Sequence, residues 1–450
     1  MSTFNTFWSQ VVSLVWGMPL VILLTGAGLY FTIVTRFLPF RSFFHALQII
    51  SGKYDRTDDP GEISHFQALS SALSATVGMG NIAGVAVAVA VGGPGAVFWM
   101  WVSGLVGMTT KFFTCSLACM YRKNDEDGIA QGGPMYFIEV GLGQRYRFLA
   151  VFFSVCGMVG TLSLFQSNQL ANLLRQEWGI PPLFTGSVAM ILVAAVVLGG
   201  ITRIGKATSR IVPAMCLLYF FSCCWIVLLN IELVPELLMS IVTNGLGLEA
   251  LAGGAAGLAL REVMVTGIQR AAFSNEAGIG TAPMAHGAAK TSEPVREGLV
   301  AMIGPFIDTH VICTLTALVI LITGVTSESG GITMTAAAFE TAIPVYGKII
   351  LSVVVVMFAV SSMISLSYYG LKCARYLFGK KRGWNYIYVY LLSILLAAVW
   401  SQGVVLDIVD SAYGLMAIPT VISTLILSPK VVRALKDYLQ RMKLADQESQ

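Results

Sequence analysis

Apolar runs of about twenty residues recur along the whole chain, and this limits the fold more than any other feature. Runs at 12–35, 67–91, 95–120, 148–171, 184–201, 209–231, 257–283, 299–323, 344–371, 386–401 and 404–427 are each long enough, with tilt, to cross a bilayer. In hydrocarbon every backbone N–H and C=O must bond within the protein, so such segments are helices. Composition agrees: 56% of the 450 residues are hydrophobic and 12% are charged, about half the charged share of a soluble domain. The expected fold class is an all-α membrane protein with eleven transmembrane helices.

The basic residues test this count. With the N-terminus outside, Arg36, Arg41, Lys53, Arg56, Arg122, Lys123, Arg145 and Arg147 fall on the cytoplasmic side. So do Arg203, Lys206, Arg210, Lys290, Arg296, Lys372, Arg375 and the basic tail from Lys430 to Lys443. The opposite loops carry acids: Glu232, Glu236, Glu249, Glu328 and Glu340. The alternation follows the positive-inside rule, and one miscounted span would invert every later loop. The expected location is the inner (plasma) membrane, with the C-terminus cytoplasmic. No basic residue precedes Trp8 and no small-residue cleavage site follows it, so the first run reads as a retained span. The eight cysteines lie in or beside apolar runs and read as reduced packing residues.

Two of the runs are interrupted where water cannot repair a break. The first reads SATVGMGNIAG, residues 74–84; the second reads GIQRAAFSNEAGIGTAPMAHGAA, residues 267–289. They lie about 195 residues apart, and five spans begin with each, the first set entering from the inside and the second from the outside. That is the pattern of a 5+5 inverted repeat with two discontinuous helices, the first span being an N-terminal extra. The domains expected are 1–66 (first helix and interfacial segment), 67–231 and 232–428 (the two repeats), and 429–450 (an amphipathic cytoplasmic tail). A broken helix exposes N–H groups at one half-helix start and C=O groups at the other half's end, which suit an anion and a cation. Gly78 and Gly80 let backbone approach a ligand, and Asn81 offers an amide oxygen to a hard cation. Close helix packing is the competing reading for glycines alone. The polar residues at both breaks, with Ser274, Asn275 and Glu276 in the second, favour a ligand site.

Lys111, Arg270, Glu276 and Asp308 are ionisable groups inside spans, where charges usually face a cavity or a partner. Glu276 reads as an anchor receiving N–H groups at the break, ahead of a direct cation ligand. Asp308 reads equally as the partner of Lys111 or Arg270 and as a proton or ion site. The four histidines do not cluster with cysteines or acids at zinc spacing. No nucleophile–base pair, phosphate loop or nucleic-acid motif is present, so an enzyme and a nucleic-acid partner are not expected.

The two breaks, with GGPMYF (132–137), FIDTHVICTLTALVIL (306–321), SYYGLKCARYLFG (367–379) and GLMAIPTVISTLILSP (414–429), resemble the alanine or glycine:cation symporter family, also called the sodium:alanine symporters. The resemblance covers about residues 10–435. It implies a fold like that of the leucine transporter and sodium-coupled uptake of a small neutral amino acid, with no cofactor beyond the coupling ion. By position it implies that the Met79 and Gly80 N–H groups hold the substrate carboxylate. Asn81 and the Thr76 backbone would bind one cation. Carbonyls near Ser74 and Val77, with the Ser361 and Ser362 hydroxyls, would form a second sodium site. Gln166 and Asn168 would face substrate, and Phe273 and Ser274 would gate or line the pocket.

The chain departs from the family pattern at Met79 (usually Thr), Leu366 (usually Trp), Leu371 (usually Glu) and in QRAAF, residues 269–273 (usually ARGVF). Exchanging Trp for Leu frees volume, which suggests a larger or more apolar substrate than alanine or glycine. Proton coupling through Glu276 or Asp308, an uncoupled permease and a transporter-like sensor are the alternatives.

Overall fold

The computed structural model describes residues 2–56, 58–125, 128, 130–247, 256–327 and 330–448; Glu249 and Glu328 lie outside them. The architecture is almost wholly helical. In order, the helices are α1 (Ser2–Val15), α2 (Met18–Val34), α3 (Leu38–Ile50), α4 (His65–Thr76), α5 (Val85–Met120), α6 (Pro134–Tyr136), α7 (Arg147–Gly160), α8 (Leu164–Trp178), α9 (Pro182–Val197) and α10 (Gly200–Leu229). There follow α11 (Val234–Gly245), α12 (Ala256–Asn275), α13 (Ala282–His286), α14 (Pro294–Ala301), α15 (Ile303–Pro305), α16 (Thr314–Thr323), α17 (Ile332–Ala342), α18 (Tyr346–Gly383), α19 (Tyr386–Ala397) and α20 (Gln402–Glu448). Wider π-helical turns at Gly80–Gly84, Phe137–Leu142 and Phe306–Cys313 join neighbouring helices. Among the described residues, one two-residue antiparallel pair joins Lys123–Asn124 to Ala130–Gln131.

Among the described residues, six helices are long and apolar enough to cross a membrane, or seven if the pair α1–α2, bent by 41°, is one span. Pro182–Val197 and Tyr386–Ala397 are shorter apolar helices. The 41-residue stretch Gly80–Met120 is kinked at Gly93 (φ 63, ψ −167), where glycine reaches a positive φ that other residues resist. The surface is inverted relative to a soluble protein. Ile22, Phe148, Phe184, Ile191, Phe221 and Trp225 face outward, while serines, threonines and several charges are buried inside. That arrangement suits a lipid solvent, in which interior polar groups satisfy one another.

Two features differ from the sequence expectation. The tail is not a separate element: α20 continues unbroken through Pro419 and Pro429 to Glu448. Tyr438 on it is buried and bonds His45 on α3 at 2.7 Å, which anchors the helix beyond its apolar part. Helices α11 and α17 also form outside the apolar runs. α17 packs inward, its Thr335 hydroxyl donating to the Ile82 carbonyl at 3.1 Å. At one end Arg122 donates to the Pro60 carbonyl, Arg296 lies over the Tyr54 and Tyr438 rings, and Arg441 pairs with Glu293. We refer to this as the basic end.

Candidate functional site

The first break starts where α4 stops. Its start is fixed by a capping box, the Ser64 hydroxyl accepting from Gln67 N and the Gln67 side chain accepting from Ser64 N. At Val77 the backbone turns extended (ψ 94). The chain resumes helical geometry only at Met79 and Gly80. The Met79 and Gly80 amides open the second half-helix, so no helical carbonyl one turn earlier is in line to receive them. The carbonyls closing α4 are freed by the same break.

Asn81 holds the break together. Its Oδ1 accepts from Gly78 N at 2.8 Å, and its Nδ2 donates to the Asp308 carbonyl at 3.0 Å, to Asp308 Oδ1 at 2.7 Å and to Cys313 Sγ at 3.3 Å. The amide oxygen expected to face a cation is therefore occupied by the backbone of the break itself.

The second break follows α12. Glu276 adopts a left-handed backbone (φ 54), as do Gly278 (φ 84) and Gly280 (φ 103). Asn275 Oδ1 accepts from Ala277 N at 2.9 Å, so the side chain that receives an N–H at the break is that of Asn275, while Glu276 accepts from Ile279 N only through its backbone carbonyl. The Glu276 carboxylate instead accepts hydroxyls, from Thr281 at 2.5 Å and from Tyr413 at 3.2 Å.

The two breaks abut: a Cβ at Gly80 would lie 3.0 Å from Ser274 Cα and 3.4 Å from the Phe273 ring. They share one acceptor. The Ser274 hydroxyl donates to Asp308 at 3.0 Å and the Thr309 hydroxyl at 2.8 Å, beside the bond from Asn81. Asp308, wholly buried in the π-helical turn Phe306–Cys313, thus joins both breaks through neutral donors. Lys111, also buried, sits in the field of Glu276 and Asp308. The pairing of Asp308 with Arg270 is not what forms. Arg270 pairs with Asp410 on α20, whose carboxylate Gln269 also reaches at 3.0 Å.

The remaining expected residues divide. Ser74 Oγ donates to the Ser361 carbonyl at 2.7 Å, which brings α4 against α18. The Ser362 hydroxyl presses on Gly78 and is buried without a hydrogen-bond partner among the described residues. Ser361 Oγ donates to the Phe358 carbonyl, and the Thr76 hydroxyl donates into its own helix at Ala72. Met79 and Leu366 are each 1% exposed. Phe273 packs edge-on to Phe165 and against Tyr413, with the Arg270 guanidinium over its ring. Gln166 is buried beside Phe165 and makes no hydrogen bond among the described residues. Asn168 serves elsewhere: its Nδ2 donates to the Ala397 and Trp400 carbonyls at the end of α19, which leaves it no donor for a ligand. Sequence reasoning missed Thr309, Cys313, Thr335, Tyr413 and Asp410. Of these only Asp410, an acid inside an apolar run, carried a signal.

A cavity of about 210 Å³ opens between the start of α10 and the far half of α18, lined by Glu62, Asp125, Tyr368, Leu371, Arg375 and Lys380. Burial, with help from Asp125, pushes the Glu62 carboxyl above its ordinary value against the opposing charges of Lys372 and Arg375.

Among solved structures, MhsT in complex with L-phenylalanine superposes with a TM-score of 0.56 at 14% identity, over 83% of this chain and 98% of that one. The shared architecture is the leucine-transporter fold, which makes the class an all-helical, multi-span membrane protein. The sequence narrows this further. The sodium:alanine symporter family profile matches residues 1–450, and the chain belongs to that family, whose members are transporters and not enzymes. The sodium/alanine symporter AgcS of Methanococcus maripaludis is 40% identical over 444 residues, 96% of each chain. An uncharacterized transporter of Haemophilus influenzae is 40% identical over 447 residues, 98% of each.

Proposed function

We propose that this chain imports a small neutral amino acid together with sodium, by alternating access around the two breaks. The observation that carries the reading is the Asp308 carboxylate, buried and shared by Asn81 of one break and Ser274 of the other. A buried carboxylate ringed by hydroxyl and amide groups suits a hard monovalent cation, because oxygen ligands replace its water. When sodium binds, Asp308 supplies the negative charge, and Ser274 and Thr309 rotate their hydroxyls to present oxygen. The cation then neutralises the carboxylate that ties the breaks together, so ion binding and the geometry of the substrate site are linked. The Met79 and Gly80 amides receive the substrate carboxylate. Phe273 and Gln166 line its side-chain end. Ser74, Val77, Ser361 and Ser362 take a second sodium, the support for that site being the Ser362 hydroxyl, which has no hydrogen-bond partner among the described residues.

The full reading has eleven spans, an N-terminal extra and two five-helix units of opposite orientation. It places the protein in the inner membrane with the basic end in the cytoplasm. The positive-inside distribution of basic residues supports it. Leu366 in place of the family's usual tryptophan supports a substrate larger than alanine.

The test is uptake into proteoliposomes from a labelled amino-acid mixture under a sodium gradient, a proton gradient or neither, followed by competition among the twenty amino acids. Sodium-driven accumulation that Asn81→Ala abolishes is expected. Accumulation driven by protons alone would overturn sodium coupling, and none under any gradient would favour a sensor.

A further inference from the structure

Away from the breaks, at the basic end, one acid holds two histidines. Glu297 on α14 accepts from His65 Nδ1 through one carboxylate oxygen and from His286 Nδ1, at 2.5 Å, through the other. His65 opens α4 and His286 closes α13, so the partners are the basic-end halves of the two broken helices. All three residues are at most 1% exposed.

These halves already form one unit. The segment before α4 pairs with the segment after α13 through Glu62 N to the Ala288 carbonyl at 2.8 Å, Lys290 N to the Ile63 carbonyl at 2.7 Å and Thr291 N to the Pro60 carbonyl at 3.1 Å. Glu297 ties that unit to α14. Arg122 at the end of α5 makes a second tether, donating to the Ala289 carbonyl at 2.7 Å and to Pro60.

The charge count decides what the cluster does. A carboxylate only accepts, so each imidazole must carry its proton on Nδ1. A buried carboxylate with two neutral imidazoles leaves one uncompensated charge, whereas one more proton on either Nε2 makes the trio neutral. Burial of the His65 ring opposes its protonation, as does Arg296, while Glu297 and then Asp55, 3.9 Å from His65 Nε2, outweigh them. Cys115 and Cys119 approach from α5, and Arg122, just past its end, donates to Cys119 Sγ.

We propose that His65, Glu297 and His286 form a proton-binding clamp that holds the basic-end halves of both broken helices against α14, and that losing its proton lets this end open. The clamp itself does not depend on what is carried. Its consequence, faster release into the cytoplasm at alkaline internal pH, rests on the alternating-access reading above.

The test is hydrogen–deuterium exchange of the full chain in lipid nanodiscs, without substrate, at about pH 6 and about pH 8.5, corrected for intrinsic exchange. One proton changes the opening equilibrium by at most about tenfold per pH unit. Peptides covering 65–76 and 282–289 should therefore lose protection by about tenfold or more at the higher pH, while those in α9 do not. His65→Gln and His286→Gln should each flatten that dependence. Equal protection of the wild-type protein at both pH values would overturn the proposal without recourse to any variant. A pH response in α9 of the same size would do so too, since it would report general loosening. Exchange needs no transport, so failure here is distinct from failure of sodium-driven uptake.

Discussion

Replacing Asp308 by asparagine removes a charge at the point where both breaks meet, with almost no change in shape. In the ion-free protein the substitution is mild. The new amide can keep its oxygen toward Asn81 Nδ2, now 2.7 Å from Oδ1, and turn its NH₂ toward the Ser274 and Thr309 hydroxyls, now at 3.0 and 2.8 Å from Oδ2. Hydroxyls rotate and can accept as readily as donate. The loss is the difference between charged and neutral hydrogen bonds, about 1 kcal/mol. In the ion-bound protein the loss is larger. A sodium ion about 2.4 Å from a carboxylate oxygen gains about 7 kcal/mol at an effective dielectric of about 20. Desolvation offsets more than half of that. A net loss of about 2.8 kcal/mol corresponds to about a hundredfold in sodium affinity. The assay is initial uptake of labelled amino acid into proteoliposomes against sodium concentration, with thermal unfolding of the same preparation as a control for folding. The half-saturating sodium concentration should rise about a hundredfold while the unfolding midpoint moves little. An unchanged sodium dependence in a folded, active Asp308→Asn protein would refute the assignment of Asp308 to the cation.

Three further outcomes follow from contacts elsewhere. Gly80→Ala puts a methyl 3.0 Å from the Ser274 backbone and should prise the breaks apart, abolishing uptake while circular dichroism still reports the full helix content. Arg270→Gln leaves Asp410 buried and uncompensated at a cost of about 3–5 kcal/mol; the double variant with Asp410→Asn should recover most of it, as a double-mutant cycle in detergent unfolding would measure. Glu62 carries a folded-state value raised by burial, so its ionised form costs stability above the unfolded-state value and nothing below it. Glu62→Gln should therefore raise the thermal midpoint at about pH 8 and leave it unchanged at about pH 4.

Much of this protein is legible in one dimension because a bilayer is a simple solvent. Hydrocarbon cannot bond to backbone, so a run of apolar residues declares a helix, and glycine, asparagine or glutamate inside such a run declares a break that protein must repair. The stops at Val77 and Glu276 follow from that reasoning. What the sequence leaves undecided is which group repairs which. Asp308 reaches Asn81, 227 positions away, because the π-helical turn at Phe306–Cys313 aims it at the seam between α4 and α12. Asp308 reads equally from sequence as the partner of Lys111 or Arg270 and as a proton or ion site, yet Asp410 on α20 takes the arginine. Asn168 resembled a ligand-facing amide and caps α19 instead, while Glu297 drew no notice as one acid among many and joins two histidines. Helical periodicity assigns a side chain to a face of its own helix. The helix that lies against that face is chosen by packing among all the others, and in a low-dielectric interior that neighbour determines whether a buried charge is an anchor, a clamp or an ion site.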